Sequence, residues 1–361
     1  MNIAYIITGL GLGGAEIVTI DIANRMVHAG NRVMLLYLTG NNVLENKIDL
    51  QIETIGLHMH KTPLGFLFAV FNACKILNKF SPDIIHGQMF HANIFARILR
   101  IVNHFPYLIC TEHTRVIGNF LRLKIYRWTD FLADFNTNVS EDAVDYFINK
   151  KAFRRSNSKV VYNGINLSKF MPNSQSGEII RKQYGIPKDN FLFINVGRLM
   201  EAKDQHNLIE AFSLLTDAQL MIVGDGELRQ DLEQFTNMKG CRSNVVFTGN
   251  QQDIQNYYGA ADCYVVSSAW EGFSLVVIEA MASGLPVIST DAGGCREAVD
   301  NPEWIVPIHN SNALAQKMKY LQSMPIVERQ NIGQENRKKA MRYDIESICK
   351  EWFELYQNFD R

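Results

Sequence analysis

Short apolar runs alternate with amphipathic stretches along the whole chain. In the first half, runs rich in β-branched and aromatic residues predict strands at Asn2–Thr8, Arg32–Leu38, Asp83–His86, Tyr107–Thr111, Asp134–Asn138 and Lys159–Tyr162. Apolar positions at helical spacing predict helices over Glu16–Ala29 and His91–Val102. In the second half, strands are predicted at Phe191–Gly197, Gln219–Gly224, Asn244–Gly249, Asp262–Ser268, Leu285–Thr290 and Trp304–Pro307. Helices over Gln205–Leu215 and Gly226–Asn237 lie between them. A repeated β-α order builds parallel sheets covered by helices, so the expected class is α/β, with two doubly wound units in tandem. Periodicity fails over Asn163–Ser176, where Asn163-Gly164, Pro172 and a Ser/Asn/Gly cluster mark a seam. The expected domains are therefore 1–170 and 171–340. Residues 341–361 hold a last amphipathic helix, Ile345–Phe359, carrying Trp352, Phe353, Leu355 and Tyr356.

Composition narrows the class further. The 361 residues are 47% hydrophobic and 20% charged, which is ordinary for a globular protein with room for two cores. A net charge of −1 gives no global attraction to nucleic acid. The charge is uneven: residues 1–175 carry 18 Lys and Arg against 12 Asp and Glu, and the remainder 18 against 25. Six scattered cysteines without a C-x-x-C pair argue for a reducing compartment and against disulfides or zinc. The N-terminus lacks a basic leader and reads as a strand, so a cytoplasmic location is expected. The longest apolar run, Pro63–Cys74, is too short to span a bilayer.

Candidate chemistry sits where strands end. The loop Gly9-Leu-Gly11-Leu-Gly13-Gly14-Ala-Glu16 follows a strand and opens a helix. It fits the dinucleotide fingerprint, but no Asp or Glu occurs from Ile22 to Leu44 to hold a ribose. What remains is a flexible loop able to approach a phosphate or a sugar at a helix N-terminus. The loop Gly197-Arg198-Leu-Met-Glu-Ala-Lys203 carries two cations that can both reach a pyrophosphate, Arg bidentately and Lys as a point charge. Seen alone, such a loop reads as solvated, with ordinary surface cations. Gly224-Asp-Gly226 and Asp291-Ala-Gly-Gly294 are turns in equivalent places. The segment Glu271-Gly-Phe-Ser-Leu-Val-Val-Ile-Glu279 puts one carboxylate in a loop and another in the following helix. With the helix N–H groups, that pair suits sugar hydroxyls and a phosphate. In Thr111-Glu-His113-Thr114, His113 closes a strand and can contact a hydroxyl or move a proton. His86 and His91 bracket another such loop, and a lone histidine is more often structural. No spacing suits a metal, so none is expected.

Five segments, in order, resemble retaining glycosyltransferases of the GT-B fold, family 4 (group 1), including bacterial enzymes of O-antigen and capsular polysaccharide synthesis. They are Gly13-Gly14-Ala-Glu16, Val161-Tyr-Asn163-Gly164, Gly197-Arg198 with Lys203, Gly224-Asp-Gly226, and Glu271-x7-Glu279. The resemblance covers nearly the whole chain. It implies two Rossmann-like domains facing across a cleft, the nucleotide sugar held mainly by the second, and a final helix crossing back to the first. It implies that Arg198 and Lys203 neutralise the donor diphosphate and that Glu279 binds the ribose. By the same likeness Glu271 faces the transferred sugar, beside backbone N–H groups of Gly272, Phe273, Ser274 and Leu275. His113 is similar to a histidine that meets the donor sugar. Gly13 and Gly14 approach the diphosphate or acceptor, and Gly197 and Gly226 shape the donor pocket.

The resemblance implies no cofactor and no metal, the co-substrate being a nucleotide diphosphate sugar, UDP-linked on our reading. It favours front-face displacement, since no carboxylate nucleophile stands out. The expected acceptor is a glycan on a polyprenyl diphosphate, read at the inner face of the plasma membrane. The segment Phe120–Trp128, which mixes cations with large apolar residues, and the apolar stretch Lys61–Phe80 suit an anionic surface, and equally suit helices that cover a sheet. Rival readings are a UDP-sugar epimerase of the same fold and a non-catalytic nucleotide-sugar or glycan-binding protein.

Overall fold

Seven parallel strands form the first sheet: β1 (Asn2–Ile7), β2 (Arg32–Tyr37), β3 (Glu53–Gly56), β4 (Ile84–Gln88), β5 (Tyr107–Glu112), β6 (Phe135–Asn138) and β7 (Ser158–Val160). Their order is β3-β2-β1-β4-β5-β6-β7. Six more form the second: β8 (Phe191–Val196), β9 (Ala218–Val223), β10 (Val245–Gly249), β11 (Cys263–Val266), β12 (Val287–Thr290) and β13 (Ile305–Val306), in the order β10-β9-β8-β11-β12-β13. Every pairing between these strands is parallel. This computed structural model describes residues 1–11, 13–115, 118 and 120–359, so Leu12 of the first glycine loop lies outside it.

The central strands read as unbroken apolar runs because helices cover both sheet faces. Ile3, Ala4, Tyr5, Ile6 and Ile7 are all fully buried, and β8 is buried throughout. The observed strands stop before Thr8, Gly197 and Gly224, where the chain turns into loops. One strand, β3, falls where none was predicted. It is a four-residue edge strand, exposed at Glu53 and only half-buried beyond, so it lacks an apolar signature. The helix expected from Gly226 begins at Arg229, because Gly226 is pressed against the Leu199 backbone.

In both sheets the strand order reverses once, between β1 and β4 and between β8 and β11. Ligands of open α/β sheets bind outside the carboxyl ends of strands at such a switch point. The loops after β1, β4, β8 and β11 are therefore the candidate ligand positions.

The chain divides into two units, Met1–Gly164 with Ile345–Arg361, and Ile165–Asp344. The Ile165 N–H donates to the Tyr343 carbonyl at 3.0 Å, so the two ends of the second unit lie side by side. The helix Ile345–Phe359 belongs to the first unit. There Trp352 packs 4.7 Å from the His86 ring, and the Tyr356 hydroxyl lies 2.7 Å from His86 Nδ1 and 3.1 Å from the Tyr5 hydroxyl. Among the described residues, no helix is long and apolar enough to cross a membrane.

Candidate active site

At the switch point of the second sheet, the loops after β8 and β11 are joined by an ion pair. Lys203 Nζ donates to Glu271 Oε2 at 2.6 Å, both side chains being about four-fifths buried. Burial opposes the Lys203 charge, but the Glu271 carboxylate beside it prevails and holds the ammonium above the ordinary lysine value. Backbone contacts fix both loops: the Ser267 hydroxyl donates to the Lys203 carbonyl at 2.7 Å, and the Ala269 N–H to the Ala202 carbonyl at 2.9 Å. Arg198 is exposed, and its carbonyl accepts from Gln205 Nε2 at 3.1 Å. Gln205, wholly buried, was invisible to motif reading because its task is to hold a loop.

The glycines here permit close approach of backbone to backbone. Gly224 has φ +132, and a Cβ there would lie 2.1 Å from the Gly197 carbonyl oxygen. A Cβ on Gly294 would meet the Gly272 carbonyl oxygen at 1.9 Å, so the loop holding Glu271 rests directly on the turn after β12.

Ser274 stands at the N-cap position of the helix Leu275–Ala282 without a side-chain capping hydrogen bond, and its carbonyl accepts from the Val277 and Ile278 N–H groups. The N–H groups before Val277 have no carbonyl one turn back in the helix. Phe273 is 6% exposed and packs 5.1 Å from the Tyr343 ring, so its side chain belongs to the core. Glu279 Oε2 accepts from the Tyr258 hydroxyl at 3.0 Å. Burial pushes the Glu279 carboxyl up to about 7, against the pull of Tyr258 and Lys169. Glu271 and Glu279, paired in sequence, thus have separate partners.

In the first unit, a cavity of about 520 Å³ opens at the carboxyl edge of its sheet, lined by Thr8, Glu16, His91, Glu112, His113 and Arg122 among others. His113 Nε2 pairs with Gln88 Oε1 at 2.7 Å, and Gln88 Nε2 with His86 Nε2 at 3.0 Å. Burial drives His113 down to about 4 and His86 to about 3, so both rings are neutral at physiological pH. His86 is wholly buried and belongs to the core. Glu112, next to His113, was not singled out in sequence. Its carboxylate accepts from the His113 N–H at 3.1 Å and the Tyr126 hydroxyl at 2.7 Å, and burial raises it to about 7. Gly13 precedes the helix Gly14–His28, and a Cβ on it would lie 2.3 Å from Glu16 Oε2. A carboxylate folded over that helix start makes the loop better suited to hydroxyls than to phosphate. Among the described residues, no group of three or more His, Cys, Asp or Glu could hold a metal ion.

Comparison with known proteins covers nearly all of this chain. The family profile Glycosyltransferase Family 4 matches residues 12–169, and Glycosyl transferases group 1 matches residues 176–339. An uncharacterized glycosyltransferase of Methanocaldococcus jannaschii is 28% identical, over 86% of this chain and 88% of its own. The UDP-Gal:alpha-D-GlcNAc-diphosphoundecaprenol alpha-1,3-galactosyltransferase of Escherichia coli is 30% identical over 63% of this chain and 62% of its own. Among solved structures, Anabaena HepE in complex with UDP and glucose superposes with a TM-score of 0.88 at 23% identity, covering 99% of this chain and all of that one. Sucrose-phosphate synthase from Thermosynechococcus elongatus gives 0.88 at 23% identity, over 99% and 98%. These two likenesses show a shared two-domain α/β fold.

Proposed function

The chain belongs to the family 4 (group 1) glycosyltransferases, and from that membership we propose that it moves a hexose or N-acetylhexosamine from a UDP-sugar to a lipid-linked glycan acceptor, with retention and without a metal. The observation that carries this reading is the Lys203–Glu271 pair at the switch point of the second sheet. An ammonium has three donors; one is held by Glu271, and the others are left for phosphate oxygens. With Arg198 from the same loop and the N–H groups that open the helix Leu275–Ala282, it would neutralise charge as the nucleotide leaves. That provision takes the place of a divalent cation. Glu279 would accept from the ribose hydroxyls, and Glu271 would meet the transferred sugar. Retention would proceed by front-face displacement: the acceptor oxygen bonds to the anomeric carbon as the C–O bond to the diphosphate breaks, and the leaving phosphate takes the acceptor proton.

The structural neighbour holding UDP and glucose supports the donor, and the Escherichia coli relative acting on a diphosphoundecaprenol substrate supports the acceptor class. The enzyme would then work at the cytoplasmic face of a membrane. A thermal-shift series over UDP-, GDP- and ADP-sugars should show the largest rise with a UDP-sugar, since ligand binding stabilises the native state. Transfer to a polyprenyl-diphosphate glycan should proceed in EDTA. Sugar release or epimerisation that ignores the acceptor would favour the epimerase, and binding without turnover a non-catalytic protein. Activity restored only by Mg²⁺ or Mn²⁺ would overturn the metal-free reading.

A further inference from the structure

Helix Pro63–Phe80 is apolar on two sides. Ala69, Val70, Ala73, Leu77 and Phe80 are buried in the core of the first unit. Leu64, Leu67, Phe68 and Phe71 recur at helical spacing on the other side and are each between 58% and 69% exposed. The same outward stripe continues through Lys75 and Lys79, and Lys75 Nζ sits 4.3 Å from the Phe71 ring centroid. Helix Phe120–Thr129 repeats the design: Phe120, Leu121 and Trp128 are exposed, with Lys124 and Arg127 between them, and Lys124 Nζ lies 4.7 Å from the Phe120 ring. Both helices flank helix Phe90–Val102, Phe66 meeting Phe95 at 5.6 Å and Tyr126 meeting Phe90 at 5.2 Å.

Charge identifies the occupant. The exposed cations of the two helices are Lys75, Lys79, Lys124 and Arg127, and neither helix carries a carboxylate. A second copy would set these cations against their own kind. A leaflet with anionic headgroups satisfies both features, taking the leucines and aromatics at the acyl boundary and the lysines among phosphates. We propose that the exposed sides of helices Pro63–Phe80 and Phe120–Thr129 form one docking surface for an anionic lipid bilayer. The surface adjoins the cavity of the first unit, since Arg122, which lies 4.9 Å over the Phe90 ring, lines it together with His91. A lipid-anchored acceptor would thus arrive with its headgroup at the cavity mouth; this last step alone rests on the transferase reading.

The test is co-sedimentation of the full chain with vesicles of phosphatidylcholine alone and with phosphatidylglycerol added, in the absence of donor. Binding should be at least about tenfold stronger to the anionic vesicles and weaken as salt rises. Leu67→Ser/Phe68→Ser and Lys75→Glu/Lys79→Glu should each remove most of it, with the melting temperature unchanged. Arg122 is left intact because it lines the cavity. Equal binding to both vesicles, no binding, or undiminished binding by the variants overturns the proposal. So does a fall in solution mass of the Leu67/Phe68 variant without vesicles, which would give the surface to a second copy. Donor plays no part here, so this result and the thermal-shift result can fail separately.

Discussion

Lys203 and Glu271 stand 68 residues apart in the chain and 2.6 Å apart in the fold. Losing one partner of a buried pair costs about 3–5 kcal/mol because the other charge is stranded, and this partly accessible pair should lie below that range. Lys203→Met and Glu271→Leu should each lower the melting temperature, and the double variant should recover much of the loss. Transfer should stay down in all three, by about 2–4 kcal/mol in the transition state for loss of the cation. A double variant no more stable than either single would show that the pair is not what holds the loops. Glu279 predicts a pH dependence. Its carboxyl is raised from 4.5 to about 7, so between those values the folded chain binds more protons than the unfolded one. Stability from this group is therefore present below pH 4.5 and declines as pH rises to about 7. Glu279→Gln should remove that decline, so its melting temperature should gain on wild type from pH 4.5 to 7 and level off above. A constant difference across the range would rule this out. The two glutamates were legible from their spacing. Tyr258, the partner that tunes one of them, was not, because nothing local links a helix residue to a carboxylate 21 positions on.

Elements were read well where the two sheets are buried on both faces, and less well at their margins. β8 and β11 announced themselves as apolar runs, while β3, a half-exposed edge strand, had no pattern to betray it. The glycine turns after strands were visible, but their purpose was not. Gly224→Ala would drive a Cβ to 2.1 Å from the Gly197 carbonyl oxygen at φ +132, whereas a Cβ on Gly11 meets nothing within 4 Å. The first substitution should cost at least about 1–3 kcal/mol from backbone strain alone and abolish the stabilisation by UDP. Gly11→Ala should melt within about 0.5 kcal/mol of wild type in equivalent stability. Paired thermal melts with and without UDP check both. If Gly224→Ala melted and bound like the parent, the close approach of the two turns would be of no consequence.

At the scale of the molecule, the second unit is continuous, Ile165–Asp344, and the first is closed by a segment from the far end of the chain. A fragment spanning 165–344 should therefore melt cooperatively by itself. A fragment ending at Gly164 should not, because it lacks Trp352 and Tyr356, which cover His86 and Tyr5 in the core. Adding the peptide 345–361 should restore its melt; two fragments that melt alike would contradict this. The amino-acid sequence by itself determined the alternation of strands and helices, the tandem α/β class, the glycine turns and the family, because these depend on periodicity and on short motifs within one loop. Only the tertiary structure decided that Lys203 meets Glu271, that Glu279 sits against Tyr258, that Glu112 and Gln88 brace His113, and that one helix keeps an apolar stripe on its outer side. Those depend on strand order: the reversals between β1 and β4 and between β8 and β11 bring together loops that the chain keeps far apart, and burial there sets charges that no spacing reveals.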